Sequence, residues 1–239
     1  VNKPVSTAQQ TAMDALSFKN RLINGDFAIN QRAFVGGALA AGVYGFDRWR
    51  AGTGGCNVSL SGGVLTHVSG PLVQVMEAPG LASQTVTVSV EDPSGSISVD
   101  VDGVTGTITS GTGRRGVSIA VPSGSTGNVT LKLTATGVTY KRVQLEIGGT
   151  PTAWDTRSKT IELLQCFRYY WRGVPNGSGI NTNTYASAYQ SFIIAFHVRM
   201  RAIPAASGTG ITVSGGFDPT YSTVGYTLAP SVDGCRLLM

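Results

Sequence analysis

Residues 57–70 read NVSLSGGVLTHVSG, and this stretch decides the fold. On either side of Gly62-Gly63, apolar and polar residues alternate with period two. That predicts two half-buried strands joined by a tight turn. The same alternation returns in TVTVSV (85–90), SISVDV (96–101), GVSIAV (116–121) and NVTLKLTAT (128–136), each flanked by turns rich in Gly, Ser and Asp. Strands recurring about every ten residues between such turns predict a β-sandwich. RVQLEIGGTPTAW (142–154) closes the block with one more strand and a Gly-Gly-Thr-Pro turn, and RLINGDFAINQRAF (21–34) opens it with strands around a turn at Asn24-Gly25.

Composition points the same way. Charged residues are 13% of 239, about half the usual quarter, and glycine, with 32 residues, is nearly double its usual share of about 7%. Low charge and high glycine exclude a coiled coil or helical bundle, and 41% hydrophobic residues exclude a disordered chain. Half of the glycines, 16 of 32, lie between Gly52 and Gly137, and no Phe, Trp or Tyr occurs from Arg50 to Thr139. This block therefore builds its core from Val, Ile and Leu and offers no stacking platform of its own. By contrast, residues 154–239 hold 12 of the 19 aromatics.

The net charge of +5 splits as +3 over residues 1–50, −1 over 51–153 and +3 over 154–239. The single adjacent arginine pair is Arg114-Arg115. A nucleic-acid surface clusters its basic residues on one face, and none clusters here. Cys56, Cys166 and Cys235 are widely separated and form no C-x-x-C, so neither a disulfide framework nor a zinc site is expected. VNKPVSTAQQ lacks the basic and apolar regions of a signal peptide, and the longest apolar run, Phe192 to Phe196, is too short to span a bilayer. A soluble protein made in a reducing cytoplasm is the expectation.

Two helical segments flank the sandwich. Ser6 and Gln9 form a capping-box pattern, and Val5, Ala8, Ala12 and Ala15 follow the 3–4 spacing of a packed helix face. This helix either docks on its own domain or serves attachment and oligomerisation. SKTIELLQCFRYYW (158–171) reads as a second helix, capped by Ser158, stopped by Gly173 and Pro175, with Ile161, Leu164, Cys166, Phe167 and Tyr170 near one face. The remainder is β-like again, with SFIIAFHVRM (191–200) as a buried strand. The fold expected is mainly β: an N-terminal attachment or oligomerisation helix (1–19), a β-sandwich (20–155), a linker helix (156–173) and a small C-terminal β domain (174–239).

Catalytic constellations are thin. Of the two histidines, His67 alternates outward on a strand and His197 lies among apolar neighbours. No G-x-S-x-G elbow, Walker loop or dinucleotide fingerprint is present. Glu91, Asp92, Asp100 and Asp102 are the nearest approach to a hydrolytic carboxylate pair. Asp100 and Asp102 fall on one strand face about 7 Å apart, which makes them weak calcium candidates, though such a pair is more often a wet sheet edge. No other cofactor is suggested and no enzyme is expected.

NRLINGDFAINQR (20–32), YGFDRWRAG (44–52), LVQVMEAPGLASQTVTVSV (72–90), YKRVQLEIGGTPTAW (140–154), ELLQCFRYYW (162–171) and FHVRMRAIPA (196–205) together resemble tail fibre and adhesin-like proteins of tailed bacteriophages. The resemblance covers about residues 20–205. Trp154-Asp155-Thr156 stands where that family usually has Phe-Glu-Arg, and the span from Gly70 to Tyr140 is compact. The resemblance implies a galactose-binding-like or carbohydrate-binding-module-like jelly-roll sandwich followed by a small β domain, often in homotrimers. It implies no catalytic signature. In physical terms Asp47 and Arg48 can pair at a strand start while Trp49 supplies a buried plate or, alternatively, a sugar-stacking ring. Gln144 and Glu146 alternate with Val143, Leu145 and Ile147 on the last sandwich strand.

The leading expectation is a virion fibre or spike subunit that binds a host cell-surface polysaccharide. Sugars stack on aromatic faces and bond to Asn, Asp, Gln and Arg, and such residues concentrate in WRGVPNGSGINTNTYASAYQ (171–190) and FDPTYSTVGY (217–226). The candidates there are Trp171, Asn181, Asn183, Tyr185, Tyr189 and Tyr221, with Trp49 in the sandwich. Packing between subunits explains the tyrosines somewhat better than sugar binding does. A purely structural virion part, meeting other virion proteins through the N-terminal helix, is the second expectation, and a capsule depolymerase the third. The Ala-lined helix and the apolar end Leu237-Leu238-Met239 fit a homotrimer. Nucleic acid and membrane insertion are not expected, and the place of action is the virion outside the cell.

Overall fold

A computed structural model describes residues 18–172, 191–195, 198–203, 227–230 and 234–238. The N-terminal helix lies outside the described residues. The chain divides into two compact units, Val1–Cys166 and Phe167–Met239.

The first unit is a two-sheet antiparallel β-sandwich. One sheet has six strands: β1 (Gly37–Leu39), β3 (Cys56–Ser61), β4 (Val64–Ser69), β11 (Val138–Ile147), β6 (Thr85–Glu91) and β9 (Arg114–Ala120), neighbours in that order. The other has five: β2 (Arg50–Ala51), β5 (Pro71–Met76), β10 (Val129–Thr134), β7 (Ile97–Val101) and β8 (Val104–Ile108). From β4 onward the chain crosses repeatedly between the sheets, so each alternating segment delivers one apolar row to a shared core. Val86, Val88, Val90, Leu145 and Tyr140 come from the six-stranded sheet; Leu72, Ile97, Val99, Leu131 and Leu133 face them from the other. Burying each such aliphatic side chain contributes about 1.5–3 kcal/mol against the entropy of ordering the chain. The expected hairpin forms as read: Gly62 and Gly63 sit at φ +56° and +77° between β3 and β4, the left-handed pair that a two-residue turn demands.

Residues 20–36 differ from expectation. They form no strand but an irregular loop, because the side chain of Asn24 takes the place of a backbone ladder. Its amide nitrogen donates to the carbonyls of Ile29 (2.8 Å) and Asp47 (2.9 Å), and its oxygen accepts from the Ile29 amide (2.8 Å). Gly25 is required beside it: a Cβ there would lie 2.2 Å from the Val143 carbonyl oxygen.

Helix α1 (Lys159–Phe167) follows the sandwich, with the Ser158 hydroxyl accepting from the Ile161 amide at 3.3 Å. It ends well before Gly173. The carbonyl of Arg168 accepts from the Arg201 amide (2.9 Å), so this backbone is engaged outside the helix. In the second unit, β12 (Ser191–Ala195), β14 (Gly234–Leu238) and β13 (Thr227–Pro230) form a three-stranded antiparallel sheet in that order.

Candidate functional site

The sandwich has two outer faces, and their chemistry differs. On the six-stranded sheet, Gln144 pairs with Ser89 and Glu146 with Thr87 across β11 and β6, all pointing away from the core. Yet Gln144 is 0% and Glu146 2% exposed. The cover is the segment 148–157, which folds back over them. Glu146 accepts from the Thr152 amide (2.9 Å), the Thr152 hydroxyl (2.5 Å) and the Gln144 amide (2.9 Å), while Gln144 Oε1 accepts from the Asp155 amide (2.9 Å). Thr87 donates to the Gly148 carbonyl at 2.8 Å. Gln144, Glu146 and Thr87 are thereby satisfied, as burial requires, whereas the buried Ser89 hydroxyl has no hydrogen-bond partner among the described residues.

The strap continues into a polar plug at the start of the sandwich. Arg157, with its side chain 2% exposed, donates to the carbonyls of Asn20 (2.5 Å) and Leu22 (2.7 Å) and to Gln165 (3.0 Å), and pairs with Glu162 (3.2 Å). Glu162 accepts from the Asn24 amide (2.7 Å), and burial pushes its carboxyl above the ordinary value. Gln74, which points inward from β5, bonds both polar groups of Ile23 at 2.8 and 2.9 Å.

Asp47 does not take Arg48 as its ion-pair partner. Neighbours on a chain point apart, and Asp47 instead meets Arg32 (3.3 Å), the Gln31 amide (2.6 Å) and the Gln31 side chain (2.9 Å). Burial dominates and pushes its carboxyl up. Arg48, at φ +72°, donates to the Val75 carbonyl.

Trp49 is wholly buried, its indole N–H donating to the Asn24 carbonyl (2.8 Å) and its ring 5.1 Å from that of Phe27. It is the buried plate of the two readings and has no exposed face for a sugar. Trp171 is partly exposed. Asn181, Asn183, Tyr185, Tyr189 and Tyr221 lie outside the described residues.

His67 points inward, not outward, because its register with Val58 and Val138 places it on the core face. Its Nε2 lies 2.6 Å from the Gly70 carbonyl and so carries the proton, leaving Nδ1 to accept from the Tyr140 hydroxyl at 2.9 Å. Burial holds its pKa below the ordinary 6.5. Cys56, 3.6 Å from His67 Nε2, is pushed up to about 11 by burial, and burial likewise raises Cys166. Both behave as small hydrophobes.

The four carboxylates considered for hydrolysis are each engaged. Arg142 holds Glu91 (2.9 Å), Lys141 holds Asp92 (2.9 Å) and Lys132 holds Asp100 (2.6 Å), while the Ser125 hydroxyl donates to Asp102. The hydrogen bond from Lys141 moves Asp92 below its ordinary value, opposite to what a general acid needs. Asp102 sits in the turn after β7 at φ +51° rather than on a shared strand face with Asp100. Among the described residues no group of three His, Cys, Asp or Glu side chains is placed to hold a metal ion.

The outer face of the five-stranded sheet is the more open one, although Val73 within it is only 5% exposed. Arg50 pairs with Val73, Val73 with Lys132, Lys132 with Asp100 and Asp100 with Thr105, giving one row across all five strands. The isolated bridge Tyr44↔Arg50 extends it by one residue. At about 4.8 Å per strand, the row from Tyr44 to Thr105 spans roughly 24 Å. Ser98 and Thr107 are exposed in the neighbouring row. Sequence inspection missed this row because Tyr44, Arg50, Lys132 and Asp100 meet only through the register of strands far apart in the chain.

No family model and no curated protein matches the sequence. Similar solved chains include one described as "CBM4 structure and function", 14% identical, covering 52% of this chain and 98% of that chain at a TM-score of 0.31. Another is the "CBM36-1 domain of a multidomain xylanase from the hindgut metagenome of Trinervitermes trinervoides", 18% identical, covering 52% and 97% at a TM-score of 0.27. At such TM-scores the likeness carries no argument about ligand or role.

Proposed function

We propose that this chain is a non-catalytic glycan-binding subunit of a tailed-phage fibre or spike, with a galactose-binding-like jelly roll as its sandwich. It is made in the host cytoplasm and acts outside the cell as part of a homotrimer. The single observation that carries glycan binding is the open row on the five-stranded sheet, where hydroxyls, a carboxylate and cations stand side by side within reach of an exposed aromatic ring. Sugars are recognised by such convergent polar groups beside an apolar surface. The residues shared with tail fibre proteins serve as scaffold: Asn24, Asp47, Trp49, Gln144, Glu146 and Glu162 all spend their hydrogen bonds on the plug and the strap.

The test is a glycan array probed with the full chain, carrying capsule and lipopolysaccharide from candidate hosts. Binding to at least one surface polysaccharide, weakened by Asp100→Ala with Thr105→Ala, is expected. No binding anywhere overturns the reading. Tyr185→Ala with Tyr189→Ala tests the aromatic stretch of residues 171–190 separately, and light scattering at the mass of one 24.8 kDa chain overturns the trimer.

A second reading, a structural virion component, draws on Val35, 95% exposed just before β1, and Val43, 46% exposed between β1 and β2. Apolar side chains held in water favour a protein neighbour. Fibre or virion incorporation lost on Val35→Asp, with glycan binding intact, is the outcome that reading expects.

A further inference from the structure

The open row is not uniform along its length. Lys132 and Asp100, at its centre, neutralise each other at 2.6 Å. Arg50 stands apart: its neighbours Trp49 and Ala51 both enter the core, so its own side chain points to the outer face. Among the described residues, no carboxylate lies within ion-pair distance of it. Arg50 is therefore the uncompensated charge of the row.

Beside it stands the row's one aromatic residue. The Ala51 amide donates to the Val43 carbonyl (2.9 Å) and the Gly45 amide to the Trp49 carbonyl (3.1 Å). Tyr44 and Arg50 are thus a non-hydrogen-bonded antiparallel pair, the arrangement that brings opposite side chains closest, with Cβ atoms about 4.5–5.5 Å apart. Tyr44 is 39% exposed, and its ring is steadied by the Arg32 guanidinium, 5.1 Å from its centroid. Arg32 is itself fixed by Asp47 (3.3 Å). A partly exposed ring held in place and an unpaired guanidinium alongside it match a sugar ring that bears a carboxylate. The ring's C–H surface meets Tyr44, and the carboxylate receives paired N–H donors from Arg50 in the geometry guanidinium groups favour.

We propose that the Tyr44–Arg50 end of the row is a subsite for an acidic sugar, so that the ligand class is a uronate-bearing or similarly carboxylated polysaccharide rather than a neutral one. This rests on the glycan-binding reading of the open face and names its ligand class. The chain of the polysaccharide runs from that end across Lys132 and Asp100 toward Thr105.

Titration calorimetry of the full chain with polygalacturonate and with its carboxyl-reduced form tests it. The expected result is at least about tenfold tighter binding of the acidic polymer, a preference removed by Arg50→Gln and kept by Arg115→Gln, an equal loss of charge on β9. Tyr44→Ala weakens both polymers. Unchanged thermal midpoints for the two arginine variants confirm that folding is not the cause. Equal affinity for the two polymers overturns the acidic subsite and leaves glycan binding standing. An equal fall for Arg50→Gln and Arg115→Gln overturns the subsite too, since it reports net charge alone. Binding to neither polymer, nor to any polysaccharide on the array, overturns both readings.

Discussion

The two outer faces of this sandwich are written in the same alphabet. TVTVSV on β6 and SISVDV on β7 alternate identically, and both put small polar residues opposite a Val or Ile core row. In the fold, Thr87 and Ser89 are wholly buried, whereas Ser98 is exposed. The difference is imposed from elsewhere in the chain: residues 148–157 fold over one face and leave the other wet. Strand periodicity thus identifies which side of a strand is polar. It does not say whether that side is structural or available to a ligand.

The sharpest way to break the contrast is to remove the hinge of the strap. Arg157→Met strands Glu162 in a buried site without its cation, and a loss of about 3–5 kcal/mol is expected in denaturant unfolding. Next comes Glu146→Ala, which removes the acceptor of the Thr152 amide and leaves the Gln144 amide and Thr152 hydroxyl only their longer 3.4 Å bonds; about 1–3 kcal/mol is expected. On the open face the matching change, Lys132→Ala, removes a solvent-washed pair, and a change of at most about 1 kcal/mol is expected. Equal costs for Glu146→Ala and Lys132→Ala would contradict the sealed-versus-open distinction.

A smaller, pH-dependent effect comes from the core. Because burial lowers the pKa of His67 below 6.5, the unfolded chain binds a proton in that window and the folded chain does not. Stability therefore falls as pH drops below about 6.5. Asp47 and Glu162, raised above 3.8 and 4.5, act in the opposite direction, since the folded chain there binds protons first and gains stability as pH falls. Comparing urea midpoints of the wild type and His67→Phe between pH 7 and 5 isolates the histidine: only the wild type carries its acid-side loss.

Much of the sandwich was legible in the sequence. The hairpin at Gly62-Gly63 and β6, β7, β9, β10 and β11 lie where the period-two segments placed them, since alternation over a two-sheet core leaves few other arrangements. The opening loop was not legible, because Asn24 replaces ladder hydrogen bonds with side-chain ones, and nothing in the apolar–polar pattern marks that exchange. His67 was misread for a related reason. VLTHVS offers an apolar Val68 and a polar His67, and only register with Val58 and Val138, plus the waiting Tyr140 hydroxyl, turns the histidine inward. The candidate row was hidden more deeply, its members being spread from Tyr44 to Lys132 and aligned by four separate strand pairings.

The central claim is that the open face of the five-stranded sheet, not the strapped one, meets the ligand. Amide chemical-shift mapping of the full chain during titration with a polysaccharide that binds it tests this most directly. The account predicts that shifts concentrate at Tyr44, Arg50, Lys132, Asp100 and Thr105, with Thr87, Gln144 and Glu146 unmoved. Shifts centred on β6 and β11 beneath the strap, or confined to residues 167–239, would contradict it.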